Sequence, residues 1–133
     1  MGYPLTIYHL VPEASFRPCV QGDAYLPERF ADDGFIHCTG DIATLVKVAN
    51  DYFADLSEPL LVLAIDTRRL RSRLVFEAAA PIPGGGASHL ADGVLFPHVH
   101  GPLNLDAVMG SARLPRQGRS YVPPGDFAPA LPS

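Results

Sequence analysis

Three of the five histidines stand among large apolar neighbours that would bury them. His9 falls in Thr6–Val11, His37 in Phe35–Cys38 and His98 in Leu95–His98. A single histidine in such a place is ordinarily a hydrogen-bonded core residue. Three are harder to account for, because burying imidazoles without partners costs free energy and gains little in packing. The pattern predicts a histidine-lined polar site built from Gly34-Phe35-Ile36-His37-Cys38-Thr39 and Phe96-Pro97-His98-Val99-His100-Gly101.

Spacing limits the chemistry of that site. His98-Val99-His100 puts two imidazoles on one face of a strand, where side chains repeat every second residue. Such a pair suits a metal, and His37, Cys38 or His9 could complete the set. A cupin barrel would add a glutamate soon after the pair and a later histidine. Gly101 to Gly110 holds Asn104 and Asp106 instead, and no histidine follows His100. His37-Cys38-Thr39 matches half of the His-x-Thr pair of two-histidine phosphoesterases. Those enzymes need a second copy, one histidine as base and one as acid, and no other histidine here has Thr or Ser two residues on. Cys38 beside His37 suggests a thiol nucleophile, but adjacent strand residues point to opposite faces. Cys38 therefore reads as a small core residue, as does Cys19. Glu77 closes the apolar strand Leu74–Glu77 and matters only if that strand end faces the histidines. Lys47, the one lysine, lies in an apolar-periodic helix, away from any phosphate loop or Schiff-base setting.

The elements that must position these residues are legible in outline. Thr6 to Val11 is rich in β-formers and predicts a first strand. Pro12-Glu13-Ala14-Ser15 opens a short helix, with proline in the first turn and Glu13 at its positive end, and Gly22 stops it. Pro27 to Asp33 predicts one or two helical turns closed by Gly34. Thr39-Gly40-Asp41 caps an amphipathic helix with apolar residues at Ile42, Leu45, Val46, Ala49 and Phe53. Pro59 to Asp66 is short and almost wholly apolar, the pattern of a central strand buried on both faces. Further strands are expected at Leu74–Ala78, Leu95–His98 and Leu105–Leu114, with a turn at Gly101-Pro102. Pro81 to Ser88 has a loop composition. Helices early and strands mostly late predict an α+β fold rather than a regular βαβ array. The expected organisation is one domain over residues 1–114. Residues 115–133 hold five prolines in nineteen positions and predict an extended arm or a disordered tail.

Composition narrows the function classes. The chain has 133 residues, enough for one domain with one core. Ten basic and fourteen acidic residues leave a net charge of −4, which argues against a nucleic-acid partner. No apolar run approaches the roughly 18 residues of a membrane span. The N-terminus lacks the basic and apolar regions of a signal peptide, and two cysteines make no disulfide framework. The expected location is the cytoplasm and the expected partner is a small molecule.

Ile7-Tyr8-His9, Gly34–Thr39, Val48-Ala49-Asn50, Phe76-Glu77 and Phe96–Leu103 together, over roughly Thr6 to Leu114, resemble a bacterial family of unknown function, domain-of-unknown-function family 952. That resemblance implies a fold like that of ADP-ribosyltransferases, two small, mostly antiparallel sheets forming a cleft, with short helices near the N-terminal half. It implies NAD, or an ADP-ribosylated small molecule, as substrate, and no other cofactor. It implies His9, His37, Glu77 and His98 as the reacting set. His9 would hold the ribose, Tyr25 or Phe35 would lie against the nicotinamide, Glu77 would stabilise the sugar cation, and Thr39 and His100 would complete the binding surface. The chain departs from relatives in having Leu26-Pro27-Glu28-Arg29-Phe30 where they carry a serine-containing stretch, and His100 where they carry tyrosine. Those departures leave a second expectation, a non-catalytic binding module with a degenerate cleft.

Overall fold

In the computed structural model, residues 4–78 and 95–129 are described. The expected loop Pro81–Ser88 and His89 lie outside them. The backbone order is β1 (Thr6–Pro12), α1 (Glu13–Phe16), a 3-10 turn (Arg17–Gln21), β2 (Ala24–Tyr25), α2 (Phe30–Asp33), β3 (Ile36–His37) and α3 (Ile42–Tyr52). It continues with β4 (Leu60–Asp66), β5 (Arg73–Ala78), β6 (Leu95–His100), β7 (Leu103–Asn104), β8 (Val108–Arg113), β9 (Arg116–Gln117), β10 (Ser120–Tyr121) and β11 (Ala128–Pro129). All pairings are antiparallel. A four-stranded sheet has the order β1-β4-β8-β11 and a three-stranded sheet the order β3-β6-β5, with two-stranded ladders β2-β7 and β9-β10. The α+β expectation holds at this level: several small antiparallel sheets and few helices.

β4 is buried at all seven positions because it lies between β1 and β8 and is covered on both faces. On one face Ile7, Val11, Leu63 and Ile65 join Phe16, Ile36, Val99 and Leu103 in a core that reaches the three-stranded sheet. On the other, Leu60, Val62 and Leu114 pack against Leu45 and Ala49 of α3 and against Tyr121. Local signals explain the element ends. Asp41 caps α3 by accepting from the Thr44 amide (2.7 Å). Gly34 closes α2 at φ 81°, a conformation that costs glycine little. Gly22 ends the 3-10 turn in an extended conformation rather than a left-handed one.

Two segments differ from their expected form. The strand expected over Leu105–Leu114 begins only at Val108, because β7 and a 3-10 turn over Leu105–Ala107 come first. The Pro-rich segment, expected as an extended arm or a disordered tail, forms the β9-β10 hairpin and β11 and is docked through residue 129. Arg116 donates to the carbonyls of Phe53, Ala54 and Leu56 at the end of α3, and its guanidinium lies 4.2 Å over the Tyr121 ring. β11 then pairs with β8 as the fourth strand of the larger sheet.

Candidate functional site

The two larger sheets touch through one backbone bridge. The Tyr8 amide donates to the Thr39 carbonyl and the Thr39 amide to the Tyr8 carbonyl, both at 2.8 Å. Beyond that bridge β3 turns away to pair with β6, and a cavity of about 730 Å³ opens along the outer edge of β1. Its lining includes His9, Tyr25, Phe35, His37, Thr39 and His98. The structure thus brings the three strand histidines to one cleft.

Directly paired strand residues share a face. His37 pairs with His98, Val75 with His98 and Arg73 with His100, so one face of the small sheet carries His37, His98, His100 and Glu77. Ile36 and Val99 fill the opposite face and are buried in the core. The same alternation separates Cys38 from His37. Cys38 is buried, and burial pushes its thiol well above the ordinary range, which disfavours the thiolate. Phe35 covers the imidazoles, its ring nearly parallel to His98 at 4.0 Å and tilted against His37 at 4.7 Å.

The hydrogen bonds fix what each imidazole can do. His9 Nδ1 lies 2.6 Å from the His37 carbonyl, which can only accept, so Nδ1 carries the proton. Its Nε2 then accepts from the Tyr25 hydroxyl at 2.9 Å. Burial lowers the His9 pKa from 6.5 to about 4, so the ring is neutral with both nitrogens engaged. His37 Nε2 donates to Asp33 at 2.9 Å, and Asp33 also meets Arg29 at 3.6 Å. His98 Nδ1 and His100 Nε2 both donate to one oxygen of Glu77, each at 2.8 Å. Those bonds, the one from His100 first, hold the Glu77 carboxyl below its usual range. Burial lowers the His98 pKa against the opposing pull of Glu77. His98 is therefore a neutral ring whose protonated Nδ1 is fixed by a carboxylate, leaving the Nε2 lone pair to accept a proton.

Glu77 and His100 do not line the cavity; they stand behind His98 and orient it. Among the described residues no group of three histidines, cysteines or carboxylates is arranged to hold a metal ion. Sequence reasoning missed three participants. Asp33 is four residues before His37, and its partnership was readable only once α2 was known to run directly into β3. The Leu10 main chain leaves no sequence trace at all. In the β1 ladder Tyr8 points its amide and carbonyl outward to Thr39, so Leu10, two residues on, does the same. Leu10 lines the cavity, and among the described residues nothing bonds to its outward groups. The third is the state of the Thr39 hydroxyl, the one buried side-chain polar atom without a partner among the described residues.

Fold and site define a class: an antiparallel α+β protein with a histidine-lined cleft where two sheets diverge. The chain belongs to the family described as "Protein of unknown function (DUF952)", whose model matches residues 10–111. It is similar to the crystal structure of protein CC0527 from Caulobacter crescentus, at 22% identity and a TM-score of 0.70, over 90% of this chain and 93% of that one. The solution structure of CC0527 aligns with a TM-score of 0.58 at 22% identity, over 88% and 90% of the two chains. These likenesses establish a shared fold. No curated protein matches the sequence.

Proposed function

We propose that this chain binds a nicotinamide-bearing ligand, NAD or an ADP-ribosylated relative, in the split between its sheets, and that His98 accepts a proton there during cleavage of the N-glycosidic bond. One observation carries the reading: Leu10 lines the cleft on the outer edge of β1, two residues beyond the Tyr8–Thr39 bridge, and its outward amide and carbonyl have no hydrogen-bond partner among the described residues. An unpaired edge-strand amide and carbonyl beside a cavity offer a ligand a ready main-chain donor and acceptor. A primary carboxamide is complementary to that pair. Its oxygen accepts from the Leu10 amide and its nitrogen donates to the Leu10 carbonyl, as Thr39 does for Tyr8. Tyr25 and Phe35 supply aromatic faces in the same cavity.

In the reaction, the bond from the ribose C1′ to the ring nitrogen breaks and its electron pair stays on nicotinamide. Water adds at C1′, and its proton passes to His98 Nε2. Glu77 acts through His98 here, not on the sugar, since its carboxylate is taken up by His98 and His100. The volume of about 730 Å³ is in the range of small-molecule sites. Cys19 and Cys38 are free thiols, in keeping with action in the cytoplasm. The acidic charge of the whole chain suits a small molecule better than a nucleic acid.

A second reading is a binding module without turnover. It is favoured by His9, whose two nitrogens are both engaged inside the protein, and by the placement of Glu77 outside the lining. Calorimetric titration with two nicotinamide-bearing ligands, NAD and nicotinamide riboside, tests the first claim, with heat of binding expected at millimolar ligand or below; its absence for both overturns the reading. Nicotinamide release from NAD, followed by chromatography, separates enzyme from module. His98→Ala is expected to abolish release while the folded protein still binds.

A further inference from the structure

The charges around the cleft discriminate among nicotinamide ligands. Of the ionisable side chains in the lining, Glu28, Asp33 and Glu58 are acidic and only Arg29 is a permanent cation. Arg29 already lies 3.6 Å from Asp33. His9 adds no positive charge at neutral pH, because burial holds its pKa at about 4, and His37 is spent on Asp33. A pyrophosphate needs the opposite surroundings, an arginine or lysine fork or the open amides of a helix start. The other arginines in the described residues lie outside the lining. Arg17 and Arg113 hold Glu13, Arg68 and Arg69 hold Asp66, Arg71 holds Asp106, and Arg116 holds the end of α3, while Arg73, opposite His100 at the far end of β5, and Arg119 are exposed and line no part of the cavity. Lys47 is exposed on α3, away from the lining. The first turn of α3 is closed by Asp41. The sequence from 79 to 94 contains neither Lys nor Arg.

An acidic lining with aromatic faces suits a cation instead. The pyridinium ring of an N-glycosidic nicotinamide is a permanent cation, which Tyr25, Phe30, Phe35 and Phe96 of the lining attract through their π faces. We infer that the cleft is specific for a phosphate-free pyridinium nucleoside, of which nicotinamide riboside is the simplest, in preference to NAD or ADP-ribose. The inference rests on the carboxamide reading above and narrows it. NAD offers the same carboxamide and pyridinium but brings a pyrophosphate toward uncompensated carboxylates.

The test is calorimetric titration of the full chain with nicotinamide riboside, NAD and ADP-ribose at low and high salt. Nicotinamide riboside is expected to bind about tenfold or more tightly than NAD at low salt, with the gap narrowing as salt screens the carboxylates. Glu58→Gln should weaken the nucleoside and strengthen NAD, opposite shifts that a folding defect cannot produce. NAD binding as tightly as the nucleoside overturns this inference and leaves the carboxamide reading intact; ADP-ribose, which has no carboxamide, binding as tightly overturns both. Heat from none of the three overturns both.

Discussion

Thr39 carries a cost that the folded chain does not recover by itself: its hydroxyl is buried and bonds to nothing among the described residues. An orphan of this kind costs about 1–3 kcal/mol relative to a paired one. Thr39→Val removes the polar atom at nearly constant shape, so it is expected to stabilise the free protein by up to about 1 kcal/mol. Urea unfolding shows the sign. A loss of stability would mean that the hydroxyl is satisfied in solution. Tyr25 is the converse case, since its hydroxyl satisfies His9 Nε2. Tyr25→Phe leaves that nitrogen unpaired and should cost about 1–3 kcal/mol. His9 also sets a pH dependence. Its folded pKa of about 4 lies below the ordinary 6.5, so protonation favours the unfolded chain. Its share of stability is complete above about pH 6.5 and is lost progressively as pH falls toward 4. His9→Gln should flatten the fall in melting temperature across that window.

Elements were legible wherever a periodic pattern and an end signal agreed. Asp41 with the apolar stripe from Ile42 to Phe53 gave α3, and the unbroken run Leu60–Asp66 gave a central strand. Gly34 after a short acidic turn gave the end of α2. The convergence of His9, His37 and His98 was legible as a cluster of misplaced polar residues. What stayed hidden depends on pairing partners. Nothing in Glu77 says that it faces His98 and His100, because register decides that, and register is a relation between β5 and β6. The docking of the arm was hidden for a similar reason. Its signal is Gly110 on β8, where a Cβ would run into the Ala128 carbonyl. Gly110→Ala should therefore push β11 off the sheet edge. Faster hydrogen exchange in 120–129, with α3 unchanged, is the expected outcome; unaltered exchange there would show that the arm can shift without leaving. Gly101, at φ 154° and against Ser72, is a second position where a side chain does not fit.

At the scale of the molecule, Glu13 ties the layers together. It accepts from Arg17 beside it and from Arg113 at the end of β8, and those bonds hold its carboxyl at about 2 instead of 4.5. A depressed carboxyl pKa contributes stability above about pH 4.5 that is lost as pH falls toward 2, so a second acid transition is expected below that of His9. Arg113→Ala should diminish it, with only a small cost at neutral pH because the guanidinium is largely exposed to screening solvent. Residues beyond Leu114 are equally part of the whole: truncation at that point uncovers Leu60, Val62 and the rest of the α3-side core. It is expected to give an aggregating or unfolded product, and a stable, monomeric 1–114 chain would contradict the docking of the arm. No helix among the described residues is long and apolar enough to cross a membrane. The bridge between Tyr8 and Thr39 has one more consequence. The two sheets, the leaves of the cleft, are joined there by main chain and, beside it, by the His9–His37 hydrogen bond and a shared apolar core, so the angle between them is set by packing before anything binds. The ligand proposed above therefore meets a preformed cleft, and its binding is expected to leave the angle between the leaves unchanged.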